Sequence, residues 1–322
     1  MKKILILGAN GGIGQYLVDY FCNVCSTEDI EVIGVGRHHN KFVESKIRYI
    51  IADISSKSDI ALLPKDVWCV IDLAGAMPAR MKGYNPEVYV NTNICGTMNV
   101  LQYCIDNRVD RIIYTQSFGD IKDLAEETLL LKPEMKACFN YNTDHSVYVV
   151  SKNTAVELIK CYNAIHRLKS FIFRLPTVYS WSKNDSYYVD GILKKRAWRI
   201  LIDKAIAGEP IQVWGDPARL KDMVYVKDLC QMLFKATFVN RSFGYYNVGT
   251  GIGISLLDQV KGIIEVFGPE KKSEILLCPE KKNAPQYIMD IENAQKELGY
   301  EPQYDYISML KDMKIERELN RF

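Results

Sequence analysis

The sequence predicts an α/β fold: a doubly wound parallel sheet with helices on both faces, followed by a smaller C-terminal α/β domain. Three observations predict it. The chain opens with a short apolar run that leads directly into a glycine turn and an amphipathic helix. Short apolar segments then alternate with helical patterns through the first half, and such βαβ alternation requires a parallel sheet. After Pro176 the alternation gives way to irregular stretches rich in aromatic residues and lysines.

The first strand and its glycine turn lie in KILILGANGGIG, residues 3–14. Residues 4–7 predict a buried strand, because four apolar residues follow one another directly before a turn. Gly8 permits the tight turn, Gly11 lets a phosphate approach the backbone, and Gly14 lets helix and strand pack closely. A turn of this geometry lets a bound pyrophosphate accept hydrogen bonds from the N–H groups at the start of the helix. The alternative is a glycine turn formed for packing alone, since G-x-x-G-x-x-G differs from the common G-x-G-x-x-G.

The later elements follow the same alternation. The remaining strands of the sheet are predicted at 30–35, 48–51, 67–73, 111–115 and 170–175, and long helices at 86–108 and 147–167. Segments 223–226 and 245–248 are expected to return to or flank the sheet, and 256–267 and 306–319 predict amphipathic structural helices. We therefore expect residues 1–175, with about 222–250, to form a nucleotide-binding domain. Residues 176–221 and 251–322 are expected to form the second domain, and the stretch 181–199 either shapes its pocket or only covers it.

Composition and charge exclude several classes of protein. The 322 residues are 48% hydrophobic and 25% charged, which is typical of a soluble globular protein, and the net charge of +2 gives no basic footprint for nucleic acid. The first apolar run stops at Gly8, too early for a signal peptide, and no run reaches transmembrane length. The 9 cysteines are scattered, and the pair Cys22 and Cys25 has no second pair to complete a zinc site. We expect a cytoplasmic protein without a bound metal.

A candidate catalytic pair is Tyr148 and Lys152, in YVVSK. Residues at i and i+4 share one face of a helix. A phenol with a pKa of about 10 is a poor base at neutral pH, but a neighbouring ammonium lowers that pKa and permits proton exchange with a carbinol oxygen. One chance Y-x-x-x-K is about as probable as not among 20 tyrosines, but this one opens the helix after a predicted strand. Ser117, just past that strand, either holds the substrate oxygen or only bonds the local backbone.

The end of the second predicted strand bears on the cofactor. Enzymes specific for NAD usually carry an acidic residue there, which binds the ribose 2′-hydroxyl. Residues 33–40, IGVGRHHN, contain no carboxylate, and Arg37 follows the glycine directly. A guanidinium there could bind a 2′-phosphate and stack on adenine. The sequence therefore favours NADP(H) over NAD(H), and the alternative is an exposed Arg37 with NAD held by other contacts.

Ten short motifs together carry a family resemblance. They are GANGGIG (8–14), ADI (52–54), VIDLAGA (70–76), NICGTMNVL (93–101), YTQS (114–117), YVVSK (148–152), FRLPTVYS (173–180), GDPARLKDMVYVKDL (215–229), YNVGTG (246–251) and ELGYEP (297–302). In this order they resemble the extended short-chain dehydrogenases/reductases of the NAD(P)-dependent epimerase/dehydratase family, over nearly the whole chain. The resemblance implies a Rossmann domain, a C-terminal nucleotide-sugar-binding domain and a homodimer. It also implies Ser117, Tyr148 and Lys152 as the catalytic set.

The same resemblance implies binding residues. Asp53 would lie near the adenine, the backbone of Ala74 and Gly75 near the cofactor, and Asn93 would brace the site. Residues and resemblance together predict for the cofactor the set Gly8, Asn10, Gly11, Gly12, Ile13, Gly14, Arg37, Asp53, Ile54, Leu73, Ala74, Gly75, Asn93, Tyr148, Lys152 and Leu175. The set implied for the substrate is Thr177, Arg219 and Lys221, with surface charge as the alternative for the two basic residues. Asp72 stands where the family often has histidine, and the sequence assigns it no role.

Departures from the subfamilies narrow the chemistry. The 4,6-dehydratases place Asp-Glu directly after the catalytic hydroxyl, where this chain has Phe118 and Gly119. The cysteine of the enzymes that make GDP-fucose and the glutamate of uronate decarboxylases are also replaced by Gly119. The chemistry compatible with these residues is hydride and proton transfer at one carbon. Such chemistry is that of a nucleotide-sugar 4-epimerase of the UDP-glucose 4-epimerase type or of an NADPH-dependent 4-keto-sugar reductase. A non-catalytic dinucleotide sensor and a reductase of non-sugar carbonyls are also compatible with the sequence.

Overall fold

Strands and helices alternate along the chain in the computed structural model, which describes residues 1–25, 29–143, 145–189, 191–270 and 272–322. The strands are β1 (Lys2–Leu7), β2 (Ile30–Gly36), β3 (Arg48–Ile51), β4 (Cys69–Asp72), β5 (Arg111–Ser117), β6 (Leu130–Leu131), β7 (Lys169–Leu175), β8 (Ser186–Val189), β9 (Ile192–Lys195), β10 (Ile211–Trp214), β11 (Leu220–Asp222), β12 (Phe243–Asn247), β13 (Gly253–Ser255), β14 (Ile275–Cys278) and β15 (Ile288–Met289). The helices are α1 (Gly12–Val24), α2 (Lys41–Glu44), α3 (Lys57–Ile60), α4 (Pro86–Tyr89), α5 (Thr97–Asp106), α6 (Ser146–His166), α7 (Ala197–Ala207), α8 (Val226–Phe238), α9 (Leu256–Phe267), α10 (Glu292–Leu298) and α11 (Tyr306–Leu319).

A seven-stranded parallel sheet forms the centre of the molecule. Its strand order is β12-β7-β5-β4-β1-β2-β3. The order reverses at β1, which pairs with β2 on one side and β4 on the other. In such a sheet ligands bind beyond the carboxyl ends of the strands at this reversal. The predicted doubly wound α/β class is therefore confirmed.

Two apolar layers cover the faces of this sheet. Residues 4–7 of β1 are fully buried, as their apolar run predicts, and alternate between the two layers. One layer packs α5 and α6 on the sheet, and the other packs α1 and α8 and continues into α9 and α11. Within the described ranges, no helix combines the length and apolarity that crossing a bilayer requires.

The predicted helix over 86–108 is interrupted. It consists of α4, a π-helical segment Val90–Gly96, and α5. A π turn inserts an extra residue into the helical ladder and is frequent at functional sites. The predicted helix over 147–167 matches α6 within one residue at each end.

The predicted strand over 223–226 is wrong. The strand of this region, β11, ends earlier and pairs with β13, and Tyr225 forms a single bridge to Tyr179. Helix α8 begins at Val226 because the buried residues Val226, Leu229, Cys230 and Leu233 follow helical spacing. The other segment, 245–248, largely coincides with β12, which joins the main sheet beside β7.

The C-terminal part, residues 176–221 and 251–322, contains short strands and the helices α7, α9, α10 and α11. Strands β8 and β9 pair antiparallel, β10 pairs with β14, and β15 pairs with β6. Helices α7 and α11 both pack on α9, which matches the predicted 256–267 at both ends. The division between residues 1–175 with 222–250 and the remainder stays a prediction.

Candidate active site

A cleft of about 1020 Å³ lies at the carboxyl ends of the central strands. The glycine turn after β1, the loops after β2 and β4, and the end of β5 line one side. Residues of the C-terminal part, among them Thr177, Ser180, Arg196 and Trp198, line the other. The cleft therefore brings the predicted cofactor residues other than Asn93, and part of the predicted substrate residues, to one place.

The glycine turn is closed tightly at the cleft floor. Gly8 has a φ of +77° and its N–H donates to the carbonyl of Val35 at 2.9 Å. A Cβ atom at Gly14 would collide with the carbonyl oxygen of Gly8. No side chain caps the start of α1 at Gly11, so its first N–H groups are available to an anion in the cleft. Gly8, Asn10, Gly11, Gly12, Ile13 and Gly14 all line the cleft.

The loop after β2 carries positive charge into the same cleft. Arg37, with 57% of its side chain exposed, lies with Nη1 3.9 Å from Oδ2 of Asp53. Asp53 also accepts hydrogen bonds from the N–H and hydroxyl of Ser55. His39 and Lys41 line the cleft beside Arg37. The structure places no carboxylate at the end of β2 itself, in agreement with the sequence.

Three side chains form the predicted catalytic group. Ser117 lies at the end of β5, Tyr148 and Lys152 lie on α6, and all three line the cleft. The hydroxyl of Ser117 is near enough to the phenol of Tyr148 to act on its pKa. Its Oγ also accepts the N–H of Gly119 at 3.2 Å, so the local backbone bond considered as the alternative is present as well. The ring of Tyr89 meets that of Tyr148 edge-on at 5.9 Å between centroids.

Burial sets the protonation of this group. Burial raises the pKa of Tyr148, and the neighbouring Ser117 hydroxyl opposes that rise. Burial lowers the pKa of Lys152, which is 6% exposed, and the carboxylate of Asp72 opposes that fall. The ammonium lies 4.1 Å from the centroid of the Tyr114 ring. Tyr148 therefore needs a neighbouring positive charge to become a phenolate near neutral pH.

Asn93 lies in the π-helical segment behind the cleft. Its Oδ1 accepts the N–H of Ala76 at 2.8 Å, and its Nδ2 donates to the carbonyl of Ala76 and to Oγ of Ser151. Ser151 in turn donates to the carbonyl of Tyr148 at 2.7 Å. Asn93 thus ties the loop after β4 to the helix that carries Tyr148 and Lys152. A direct contact of Asn93 with the cofactor stays a prediction.

The other cofactor residues implied by the resemblance lie around the same space. Asp53, Ile54, Leu73, Ala74, Gly75 and Leu175 all line the cleft. On the substrate side, Thr177 lines it too. Arg219 is instead paired with Glu126 at 3.1 Å and donates to the carbonyl of Ala284, and Lys221 lies 5.5 Å and 5.7 Å from the ring centroids of Tyr179 and Tyr287. Neither basic residue is among those that line the cleft, and their roles stay predictions.

Two arginines that the sequence did not single out as substrate residues do line the cleft. Arg80 lies in a 3₁₀ turn after β4, and Arg196 directly precedes α7. Neither side chain forms an ion pair or a hydrogen bond with another described residue, and Arg196 lies over the ring of Tyr187 at 5.8 Å. Burial and the charge of Arg80 lower the pKa of Arg196. Only the basic run 194–196 signalled this part of the site in the sequence, and residue 190 of that stretch lies outside the described residues.

Comparison with known proteins finds similarity over most of the chain. The family model described as the NAD dependent epimerase/dehydratase family matches residues 4–249. A protein of Methanocaldococcus jannaschii that carries the provisional name UDP-glucose 4-epimerase is 28% identical over 308 residues, covering 94% of each chain. The UDP-glucuronate 4-epimerase of Thermodesulfobacterium geofontis is 26% identical over 243 residues, covering 75% of this chain and 70% of the relative.

Solved structures share the fold. The UDP-glucose 4-epimerase of Thermotoga maritima with UDP-glucose superposes with a TM-score of 0.79 at 21% identity, covering 98% of this chain and 99% of that one. The UDP-glucuronic acid 4-epimerase of Bacillus cereus in complex with NAD gives 0.75 at 20% identity, covering 99% of both chains.

Proposed function

The chain is an enzyme of the extended short-chain dehydrogenase/reductase type that belongs to the NAD dependent epimerase/dehydratase family, and from this premise we propose that it epimerises a nucleotide sugar at C4. The observation that carries the proposal is the meeting of Ser117, Tyr148 and Lys152 in one cleft with the glycine turn. These groups exchange a proton with a hydroxyl, and the turn binds a dinucleotide. The same residues would also catalyse the alternative reaction, reduction of a 4-keto sugar.

The residues present fit a nicotinamide dinucleotide. The uncapped start of α1 faces the cleft and suits a pyrophosphate. A side chain at residue 8 or residue 14 would collide with backbone atoms and displace the turn. Leu73, Ala74 and Gly75 would lie along the cofactor toward the catalytic end of the cleft. When bound there, the nicotinamide ring supplies the group that accepts hydride from the sugar carbon and returns it.

The side chains then carry the proton. Tyr148 as phenolate accepts the proton of the C4 hydroxyl, and the Lys152 ammonium stabilises that phenolate. Ser117 holds the C4 oxygen by a hydrogen bond as the alcohol becomes a ketone. After the sugar presents its other face, Tyr148 returns the same proton to the C4 oxygen, so atoms and charge balance over the cycle.

The loop after β5 supports epimerisation over dehydration. Loss of water from the sugar needs an acid beside the catalytic hydroxyl. A Cβ at Gly119 would already lie 3.1 Å from Cγ2 of Val149 and 3.3 Å from Oγ of Ser117. An acidic side chain at residue 119 would therefore crowd both neighbours.

Charge on the substrate side supports a nucleotide sugar over an uncharged carbonyl compound. Arg80 and Arg196 bring two guanidinium groups without carboxylate partners among the described residues into the cleft. The start of α7 beside Arg196 has no side-chain cap. A nucleoside diphosphate carries the negative charge that such a region binds. Arg219 and Lys221 remain candidates for further phosphate contacts.

The test of the proposal is conversion of UDP-glucose, UDP-N-acetylglucosamine and UDP-glucuronate to their C4 epimers, followed by NMR. We expect conversion of at least one sugar without stoichiometric loss of NADPH absorbance. Tyr148→Phe removes the proton carrier and should lower the rate about 10²- to 10⁴-fold. Tyr162→Phe on the same helix is the matched control and should retain the rate. Full activity of Tyr148→Phe, or stoichiometric NADPH consumption with a 4-keto sugar, would contradict the epimerase proposal, and the second result would establish the reductase.

We further propose that the enzyme prefers NADP(H) to NAD(H). Arg37, His39 and Lys41 line the cleft at the end of β2, where a 2′-phosphate would lie. We expect Arg37→Ala to weaken NADPH binding about 10-fold and to change NADH binding little, as measured by fluorescence titration. Arg48→Ala, at an exposed arginine of β3, is the control. Tighter binding of NADH than of NADPH by the unchanged protein would contradict the proposed preference for NADP(H). A homodimer stays a prediction of the family resemblance, and a cytoplasmic location stays a prediction from the scattered cysteines.

A further inference from the structure

Asp72 is a fully buried carboxyl group at the end of β4. Its Oδ1 accepts the N–H of Ala74 at 3.0 Å. Its Oδ2 is buried and has no hydrogen-bond partner among the described residues. A buried charged oxygen without a partner costs free energy unless a nearby opposite charge compensates it.

Lys152 supplies that charge from α6. It is 6% exposed, and its ammonium forms no hydrogen bond or ion pair with any residue that the structure describes. The sheet register sets Asp72 directly opposite Tyr114, and the Lys152 ammonium lies 4.1 Å from the centroid of the Tyr114 ring. Two opposite charges, neither with an ion-pair partner among the described residues, therefore lie beside one buried ring.

The other titratable groups that face this pair are neutral near pH 7. Burial raises the pKa of Tyr114 on β5 and of Cys104 on α5, and it also raises the pKa of Tyr148 on α6. Asp72 and Lys152 are therefore the charges of this cluster. Burial pushes each toward its neutral form, and each opposes that tendency in the other.

We propose that Asp72 is a positioning residue whose carboxylate keeps Lys152 in the ammonium form that the Tyr148 phenolate requires. The role rests on the proposed function of Tyr148 and Lys152. It is a property of this chain, because the histidine that the family often has at this place is neutral above about pH 7 and supplies no negative charge.

The sign of the effect follows from the charges. Without the carboxylate, the buried ammonium loses its opposing charge and the pKa of Lys152 falls. Lys152 is then neutral at a pH where it was charged, and it no longer favours the Tyr148 phenolate. The alkaline limb of the pH–rate profile, which reports loss of the Lys152 proton, moves to lower pH.

The experiment measures Lys152 directly. Lysine labelled with ¹³C at Cε reports its own titration by NMR, and the Lys152 signal is assigned by its loss in Lys152→Met. Asp72→Asn keeps the shape of the side chain and an acceptor for Ala74. We expect it to lower the pKa of Lys152 by about one unit or more. At pH 7.5 we expect it to lower the single-turnover rate about 3-fold or more, with the Kd for nucleotide sugar unchanged.

Two further variants make the test decisive. Tyr114→Phe alters the same buried cluster but keeps the carboxylate, so it should leave the pKa of Lys152 in place. Asp72→His should lower the pKa of Lys152 as much as Asp72→Asn does. It is the variant to measure if the Asp72→Asn protein does not fold. An unchanged pKa of Lys152 in a folded Asp72 variant would overturn the proposal, even if the rate fell. The NMR titration is valid whichever sugar the enzyme uses, so failure of the proposed function and failure of this inference give different results.

Discussion

At Gly14, the missing side chain lets α1 start directly above β1. The carbonyl of Gly8 fills the space that a Cβ would need. Gly12, two residues earlier, is different, because a Cβ there would meet no atom within 4 Å. The two glycines of one turn therefore play separate roles, since Gly14 is required by packing and Gly12 is not.

We predict opposite outcomes for alanine at these two glycines. Gly14→Ala forces α1 away from the turn and should destabilise the apo-protein by several kcal/mol, because backbone must move. Gly12→Ala should leave stability unchanged or raise it by up to about 1 kcal/mol, since alanine favours helix. Chemical denaturation of both variants measures the difference. Equal stability of the two proteins would contradict the role assigned to Gly14.

Among the elements, the π-helical segment between α4 and α5 connects fold to chemistry. It carries Asn93, whose amide forms three hydrogen bonds to Ala76 and Ser151. These bonds hold the loop after β4 against the helix of Tyr148. The element therefore fixes the distance between the cofactor loop and the catalytic side chains.

Asn93→Ala should lower both the stability of the protein and its kcat. The change leaves the buried N–H and carbonyl of Ala76 unpaired, which we expect to cost about 2–4 kcal/mol. We expect kcat to fall about 10-fold or more, because the catalytic helix loses its brace. Asn107→Ala, which removes a single bond to the Tyr103 carbonyl at the end of α5, is the control. Unaltered kcat and stability in Asn93→Ala would show that the brace is dispensable.

On the scale of the whole molecule, Asp222 joins segments that are distant in sequence. Its Oδ1 accepts hydrogen bonds from the N–H and hydroxyl of Thr250, and its Oδ2 accepts those of the Gly251 and Met289 backbones. The carboxyl group is fully buried. It thus fastens the loop after β12 of the main sheet to β11 and β15 of the C-terminal part.

Asp222→Ala should unfold at a markedly lower denaturant concentration. Three backbone N–H groups and one hydroxyl lose their acceptor inside the protein, for which we expect a loss of about 3–5 kcal/mol. Asp216→Ala, which removes an exposed acceptor of the Ala218 N–H, is the matched control and should lose less than about 1 kcal/mol. A free energy of unfolding equal to that of the unchanged protein would refute the fastening role.

The sequence by itself determined the α/β class, the main strands, the glycine turn and the candidate catalytic set Ser117, Tyr148 and Lys152. These signals are local: an apolar run, a fixed spacing of glycines, and two residues one helical turn apart. The strand expected at 223–226 was wrong because a four-residue apolar run cannot be told from the start of a buried helix.

Only the tertiary structure decided which charges share one buried space. Arg80 and Arg196 lie in the cleft and Arg219 pairs with Glu126, although all three are basic residues in irregular segments. Asp72 and Lys152 are brought together by the pairing of β4 with β5 and by the packing of α6 on that sheet. A charge acquires its function from burial and from neighbours that are distant in sequence, and neither can be inferred from a residue's own position in the chain.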